Sequence, residues 1–329
     1  VGIQNLRASL ESRQIGIYFG FVVTAAFAAM LIPGTTALEI SVNPALALML
    51  FATFLQVPLA DLAQAFSRGR FLAALFAANF VVVPLLVAGL VQFLPADSMV
   101  RLGVLLVLLA PCIDYVVTFA HLGRADARLL LAATPPLLIL QMLLLPAYLK
   151  LFLGERAVGL VQHGPFVHAF VWLIAVPLAL AAVVQLWAAR HRAGARVTAV
   201  LGLLPVPATA VVLFVVIASV APRLAPAINS VWRVVPIYVA FAILAPLIGW
   251  SVARLFRLDA PAGRSVAFSA STRNSLVVLP LAFAVPGAVP VLPAIIVTQT
   301  LVELVSELVY VRVVPRWGEH KSVTASQMR

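Results

Sequence analysis

The chain has 329 residues, of which 64% are hydrophobic and 10% charged, with a mean hydropathy of +1.11 and a formal net charge of +11. Soluble domains carry roughly a quarter of charged residues, so a water-soluble fold is excluded and an all-α polytopic membrane protein is predicted. The apolar runs approach the ~20 residues that a helix needs to cross ~30 Å of hydrocarbon, about twice a β-barrel strand.

Ten segments follow in chain order, at about 15–33, 43–65, 71–94, 100–121, 127–151, 166–189, 196–221, 229–253, 264–284 and 288–314. The stretch before the first, Val1 to Gln14, is polar and reads as no cleavable leader. Gln56 and Asp61 close the second segment. Asn79 with Pro84 marks the third, and Gln141 marks the fifth. The fourth and ninth are interrupted midway by Pro111-Cys112-Ile113-Asp114 and by Ser271-Thr272-Arg273-Asn274-Ser275.

With the N-terminus inside, 16 basic residues fall on inner positions, among them Arg7, Arg68, Arg124, Arg128, Arg192, Arg257 and Arg316. Five fall outside (Arg101, Lys150, Arg156, Arg223 and Arg233), and Arg273 belongs to neither side. This asymmetry predicts a plasma (inner) membrane protein with cytoplasmic termini and an even number of spans. It also accounts for the basic charge without a nucleic-acid partner.

Residues 15–153 and 165–314 each hold five spans. Five is odd, so the second half enters the membrane with opposite orientation, the geometry of an inverted repeat. Ala110-Pro111-Cys112-Ile113-Asp114 aligns with Ala270-Ser271-Thr272-Arg273-Asn274.

Pro111 removes a backbone donor and pushes Ala110 off helical angles, so the fourth span is either broken or kinked. Ser271, Thr272, Asn274 and Ser275 can cap the ends freed in the ninth. The two breaks are expected to meet. Asp114 and Arg273 are then the expected buried pair, acting either as a structural bridge or in handling an anion or a proton. Cys112 reads as a small buried hydrophobe or as a soft ligand.

Glu303 and Glu307 share one face of the last span, as coupling groups or as glue between helices. Glu303 is expected to be the deeper, and Glu307 to meet a basic group near the inner edge. Thr298, Gln299 and Thr300 add hydrogen-bonding capacity beside Glu303. The five histidines look peripheral, and no permanent metal site is read. A single cysteine excludes a disulfide within the chain. No GxxxxGK[ST] loop occurs, and the loops are too short for a catalytic domain. Transport without an enzymatic step and without a cofactor remains.

Leu109-Ala110-Pro111-Cys112-Ile113, Asn79-Phe80 with Pro84, and Leu301-Val302-Glu303 resemble the bile acid/sodium symporter superfamily, and within it the ACR3-type arsenite efflux permeases. The resemblance spans about 15–314. It implies ten spans in two inverted five-helix repeats with crossed, discontinuous helices 4 and 9. It further implies a core domain (spans 3–5 and 8–10) and a panel domain (spans 1, 2, 6 and 7). Two features depart from the ACR3-type pattern: Ser275 and Arg273 stand where a glutamate context is expected, and Asp114 has no counterpart.

The expected function is alternating-access transport, foremost proton-coupled efflux of arsenite or antimonite. The alternative is a sodium- or proton-coupled carrier of an organic anion or oxyanion. The substrate residues would be Cys112, Asp114, Ser271, Thr272, Arg273, Asn274 and Ser275. Asp114, Gln299, Glu303 and Glu307 would handle the coupling ion, with the proton favoured over sodium, and Asn79 and Pro111 would support the break. The bilayer is the one constant partner, with the chain a monomer or homodimer.

Overall fold

The structure is a computed structural model that describes residues 2–56, 68–112, 115–154, 164, 167–168, 171–283 and 285–318. Asp61, Ile113 and Asp114 lie outside the described residues, so the expected Asp114–Arg273 pair does too. All regular elements among the described residues are helical. Eight helices among the described residues are long and apolar enough to cross a membrane, which makes the chain a multi-pass membrane protein.

In chain order, α1 is Ile3–Leu31. A 3-10 turn, Thr35–Ser41, leads into α2, Val42–Leu55. Helix α3 is Gly69–Val91, α4 Ser98–Leu108, α5 Tyr115–Leu122 and α6 Ala127–Leu153. They are followed by α7, Val171–Arg190; α8, Arg192–Leu201; α9, Pro205–Val220; and α10, Ile228–Leu255. The last three are α11, Ala260–Ser271; α12, Ser275–Phe283; and α13, Val291–Val313.

Two boundaries differ from expectation. Helix α1 begins at Ile3, because the polar stretch before Ile15 holds no helix breaker and Arg7 pairs with Glu11 one turn on, Nε to Oε1 at 2.7 Å. The expected seventh segment splits into α8 and α9. Arg192 and Arg196 keep α8 out of the apolar layer, and Pro205 starts α9 as a first-turn proline with no donor to lose.

The helices pack in two groups. One holds α1, α2, α7 and α9, and the other holds α3 to α6 and α10 to α13. Within the second group, α10 lies along α11 at Gly249, where a Cβ would come within 2.7 Å of Ala270 Cβ and 2.9 Å of Val266 O.

Prolines inside these helices leave carbonyls without their usual donors, and at two of them a tyrosine supplies the missing bond. Pro84 cannot donate to Phe80 O in α3, and the Tyr148 hydroxyl of α6 donates there at 2.5 Å. Pro246 cannot donate to Ala242 O in α10, and the Tyr310 hydroxyl of α13 donates there. Asp97 N-caps α4 by accepting from Met99 N at 2.9 Å, and Asp259 holds the N-cap position of α11.

Candidate functional site

Helix α4 stops at Leu108 and its direction resumes in α5 at Tyr115, while α11 stops at Ser271 and resumes in α12 at Ser275. The two gaps pair with each other. Pro111 and Arg273 form an isolated antiparallel bridge in which Cys112 N–H donates to Thr272 O at 3.0 Å and Asn274 N–H donates to Ala110 O at 2.7 Å. Each gap thus satisfies the other's backbone, as any non-helical segment buried among apolar helices must be satisfied. The bridge sets Pro111 opposite Arg273, two residues past the sequence alignment of Pro111 with Ser271.

Ser271, Thr272, Arg273, Asn274 and Ser275 are all buried. Asn274 Oδ1 accepts from Val277 N at 3.4 Å at the start of α12. Ser271 Oγ donates back to Ala267 O at 3.0 Å. Ser275 Oγ accepts from Thr300 Oγ1 at 2.8 Å, which ties the gap to α13.

The Arg273 side chain is fully buried. Its Nη2 donates to Asn79 Oδ1 at 2.9 Å and to Ser269 O at 2.5 Å, and its Nη1 donates to Leu108 O at 3.4 Å. The Phe241 ring lies 5.5 Å from its guanidinium carbon, a cation–π contact of the kind that gains strength away from water. Asn79 sits in a π-helical turn, Ala78–Val82. Its Nδ2 donates to Ser269 Oγ and to Leu75 O, both at 3.0 Å.

Glu303 accepts three hydrogen bonds. They come from Arg273 backbone N–H at 2.6 Å, Gln299 Nε2 at 2.6 Å and the Tyr115 hydroxyl at 2.5 Å. Glu307 is as deeply buried as Glu303. It meets no basic group among the described residues, which corrects the expectation of a partner at the inner edge. Four-residue spacing fixes a face of α13, and that face turns inward onto the ninth-span gap. Glu307 Oε1 is 2.6 Å from Thr272 Oγ1, which also lies 2.7 Å from Phe268 O. A hydroxyl has one proton to give. When Thr272 turns to Phe268 O, the contact with Glu307 survives only with the proton on the carboxyl.

Cys112 is buried at the bridge. It does not line a cavity of about 680 Å³ that opens beside the crossing. That cavity lies between α1, α2 and α9 on one side and α5 and α6 on the other. Its exposed rim carries Arg7, Glu11, His121 and Arg128. Deeper in are Gln14, Thr53 and Thr118, with Thr118 Oγ1 donating to Gln14 Oε1 at 3.0 Å across the two helix groups. Its walls are otherwise largely apolar. Tyr115 belongs to the lining as well, and it is this tyrosine that donates to Glu303. The cavity and the crossing therefore share a wall.

The expected site residues Arg273, Asn79, Gln299 and Glu303 come together around one point, with Thr272 and Glu307 adjoining. Tyr115, Gln14, Thr118 and Arg128 escaped the sequence reading. The available signal was a polar side chain on each helix end facing the cavity.

Helices of membrane-spanning length, paired interruptions that bury polar groups and a wide cavity reaching them define a polytopic membrane protein. The pattern of the Sodium Bile acid symporter family matches residues 43–226, more than half of the chain, and the chain belongs to that family. No curated protein matches the chain in sequence.

Proposed function

We propose that the protein is a secondary carrier of an amphipathic organic anion, working by alternating access. The observation that carries this reading is the cavity of about 680 Å³ between the two helix groups, cationic at its rim and floored by Tyr115. Small-molecule sites run from about 300 to 1,000 Å³ and combine apolar walls with a few placed polar groups. A carboxylate with an apolar body suits Arg128 above such walls, where Arg7 is already paired with Glu11. Arsenite and antimonite are smaller than this volume requires, and Cys112, their expected ligand, stands outside the lining. The organic anion is therefore preferred over the metalloid.

On this reading α1, α2, α7 and α9 form the panel and the remaining spans form the core, with the substrate held between them. The ten passes are the eight long helices plus α4–α5 and α11–α12. An inverted repeat is supported by a constant step of 162 residues: Pro84 to Pro246, Phe80 to Ala242, Tyr148 to Tyr310, Asp97 to Asp259 and Pro111 to Arg273. The prolines, the carbonyls they leave open and the tyrosines fill the same role in each half, and Asp97 and Asp259 share the N-cap position, with a side-chain cap at Asp97 alone. The excess of basic residues at the inner positions supports a cytoplasmic rim and cytoplasmic termini in the plasma (inner) membrane. Glu303, bonded to both the cavity floor and the crossing, is the proposed proton carrier.

Reconstituted vesicles test this directly. Steroidal and alkyl carboxylates are expected to raise the melting temperature and to enter saturably, and a Tyr115→Phe substitution should slow entry while leaving folded yield intact. Transport of arsenite or antimonite without any organic-anion binding would overturn the proposal.

A further inference from the structure

A guanidinium buried at the helix crossing calls for an account, because an ionised group inside a membrane-spanning bundle is costly and is functional by default. Arg273 is held by three acceptors from three separate segments. Leu108 O is at the C-terminal end of α4, Ser269 O lies in the last turn of α11, and Asn79 Oδ1 comes from the π-helical turn of α3. Half-helix C-termini and unwound carbonyls are the groups that secondary transporters offer to a coupling cation, since these ends carry partial negative charge. Here those groups converge on a cation that is already part of the chain.

We propose that Arg273 is a tethered cation that takes the place of a mobile metal ion at the crossing, so that folding and transport are independent of sodium. The inference rests on the carrier reading above and specifies its coupling. Three features support a structural fixture over a passing contact. The residue is fully buried. Its own backbone is locked by the bridge to Pro111 and by the bond from its N–H to Glu303 Oε2 at 2.6 Å. The Phe241 ring lies over the guanidinium at 5.5 Å. A released ion would leave at each turnover, but a cation on this backbone cannot. It neutralises the helix ends in every state of the cycle and leaves Glu303 free to exchange a proton.

The test begins with the unmodified protein and no substrate. Replacing sodium by choline at constant ionic strength should leave the melting midpoint unchanged. Saturable stabilisation by sodium would overturn the inference while leaving organic-anion binding untouched, and failure of every organic anion to bind would sink the carrier reading alone. An Arg273→Ala substitution vacates the three acceptors. The variant is expected to melt lower and to regain stability with added guanidinium or sodium ions but not with choline. A variant that melts like the parent and ignores both ions would count against a tethered cation. Should the alanine variant fail to accumulate, Arg273→Lys and Arg273→Gln decide the matter. Lysine keeping more folded protein than glutamine supports the role of the charge, and equal yields refute it.

Discussion

Thr272 and Glu307 offer a double-mutant cycle whose outcome follows from the proton inventory of one hydroxyl. In Thr272→Val the shape is nearly kept, but Glu307 Oε1 loses its donor at 2.6 Å, and Glu307 Oε2 has no hydrogen-bond partner to begin with. Leaving a buried polar group unsatisfied costs about 1–3 kcal/mol, and the upper part of that range is expected because both carboxyl oxygens would then be bare. In Glu307→Leu, Thr272 keeps its bond to Phe268 O at 2.7 Å, so the change should fall within about 1 kcal/mol of the parent in either direction. Replacing both partners by apolar groups removes the unmet demand altogether. The double variant should therefore match Glu307→Leu rather than the sum of the two single changes. The coupling energy should be about 1–3 kcal/mol, read from reversible unfolding in mixed micelles. Additivity within about 0.5 kcal/mol would show that the pair does not interact and would refute the reasoning. The same variants separate two roles for Glu307. If it is only glue, the double variant transports normally. If it moves a proton, the variant is stable and inactive.

Two further outcomes follow from packing and charge. Gly249→Val should destabilise the protein by about 1–3 kcal/mol, because the new Cβ meets Val266 O and Ala267 Cα at 2.9 Å and backbone cannot step aside; a melting curve like that of the parent would contradict the close approach of α10 and α11. Arg128→Gln, on the exposed rim of the cavity, should weaken binding of an organic carboxylate about two- to fivefold, the worth of roughly 0.3–1 kcal/mol for an exposed charge contact. That loss should fade toward 1 M salt, where screening reaches within about 3 Å, as titration calorimetry at two salt concentrations can check.

The interruptions were legible in the sequence because polar residues inside an apolar run carry a cost that only a function or a partner repays. Pro111 and Arg273 announce themselves in that way. Tyr115 did not, since a tyrosine in a hydrophobic helix reads as core until its hydroxyl is seen on Glu303. Gln14 and Arg7 were hidden by their place before the first apolar run, which the helix ignores by starting at Ile3. The partner of Glu307 was misjudged because helical spacing gives a face and not a depth. Thr272 reaches it from a stretch with no helical period to read. The 162-residue register was also present in the sequence, in prolines and tyrosines too sparse for an alignment to find. It takes the hydrogen bonds from Tyr148 and Tyr310 to show that each tyrosine answers a proline.

That register bears on coupling. If the halves are related by 162 residues, then Arg273 stands in the place of Pro111, Glu303 in that of Gln141 and Glu307 in that of Leu145. The backbone of the crossing is two-fold, with each gap donating one N–H to the other. Among the described residues its side chains are not, because Arg273, Glu303 and Glu307 all come from the second half. The first half supplies neutral acceptors and a hydroxyl: Leu108 O, Asn79 and Tyr115. An inverted repeat with the same side chains in both halves would present the same groups to either side of the membrane. Placing Arg273, Glu303 and Glu307 in one half breaks that equivalence, while the shared backbone bonds tie the two interrupted helices together. The asymmetry of the crossing thus resides in its side chains, on a pair of gaps whose backbone bonds are reciprocal.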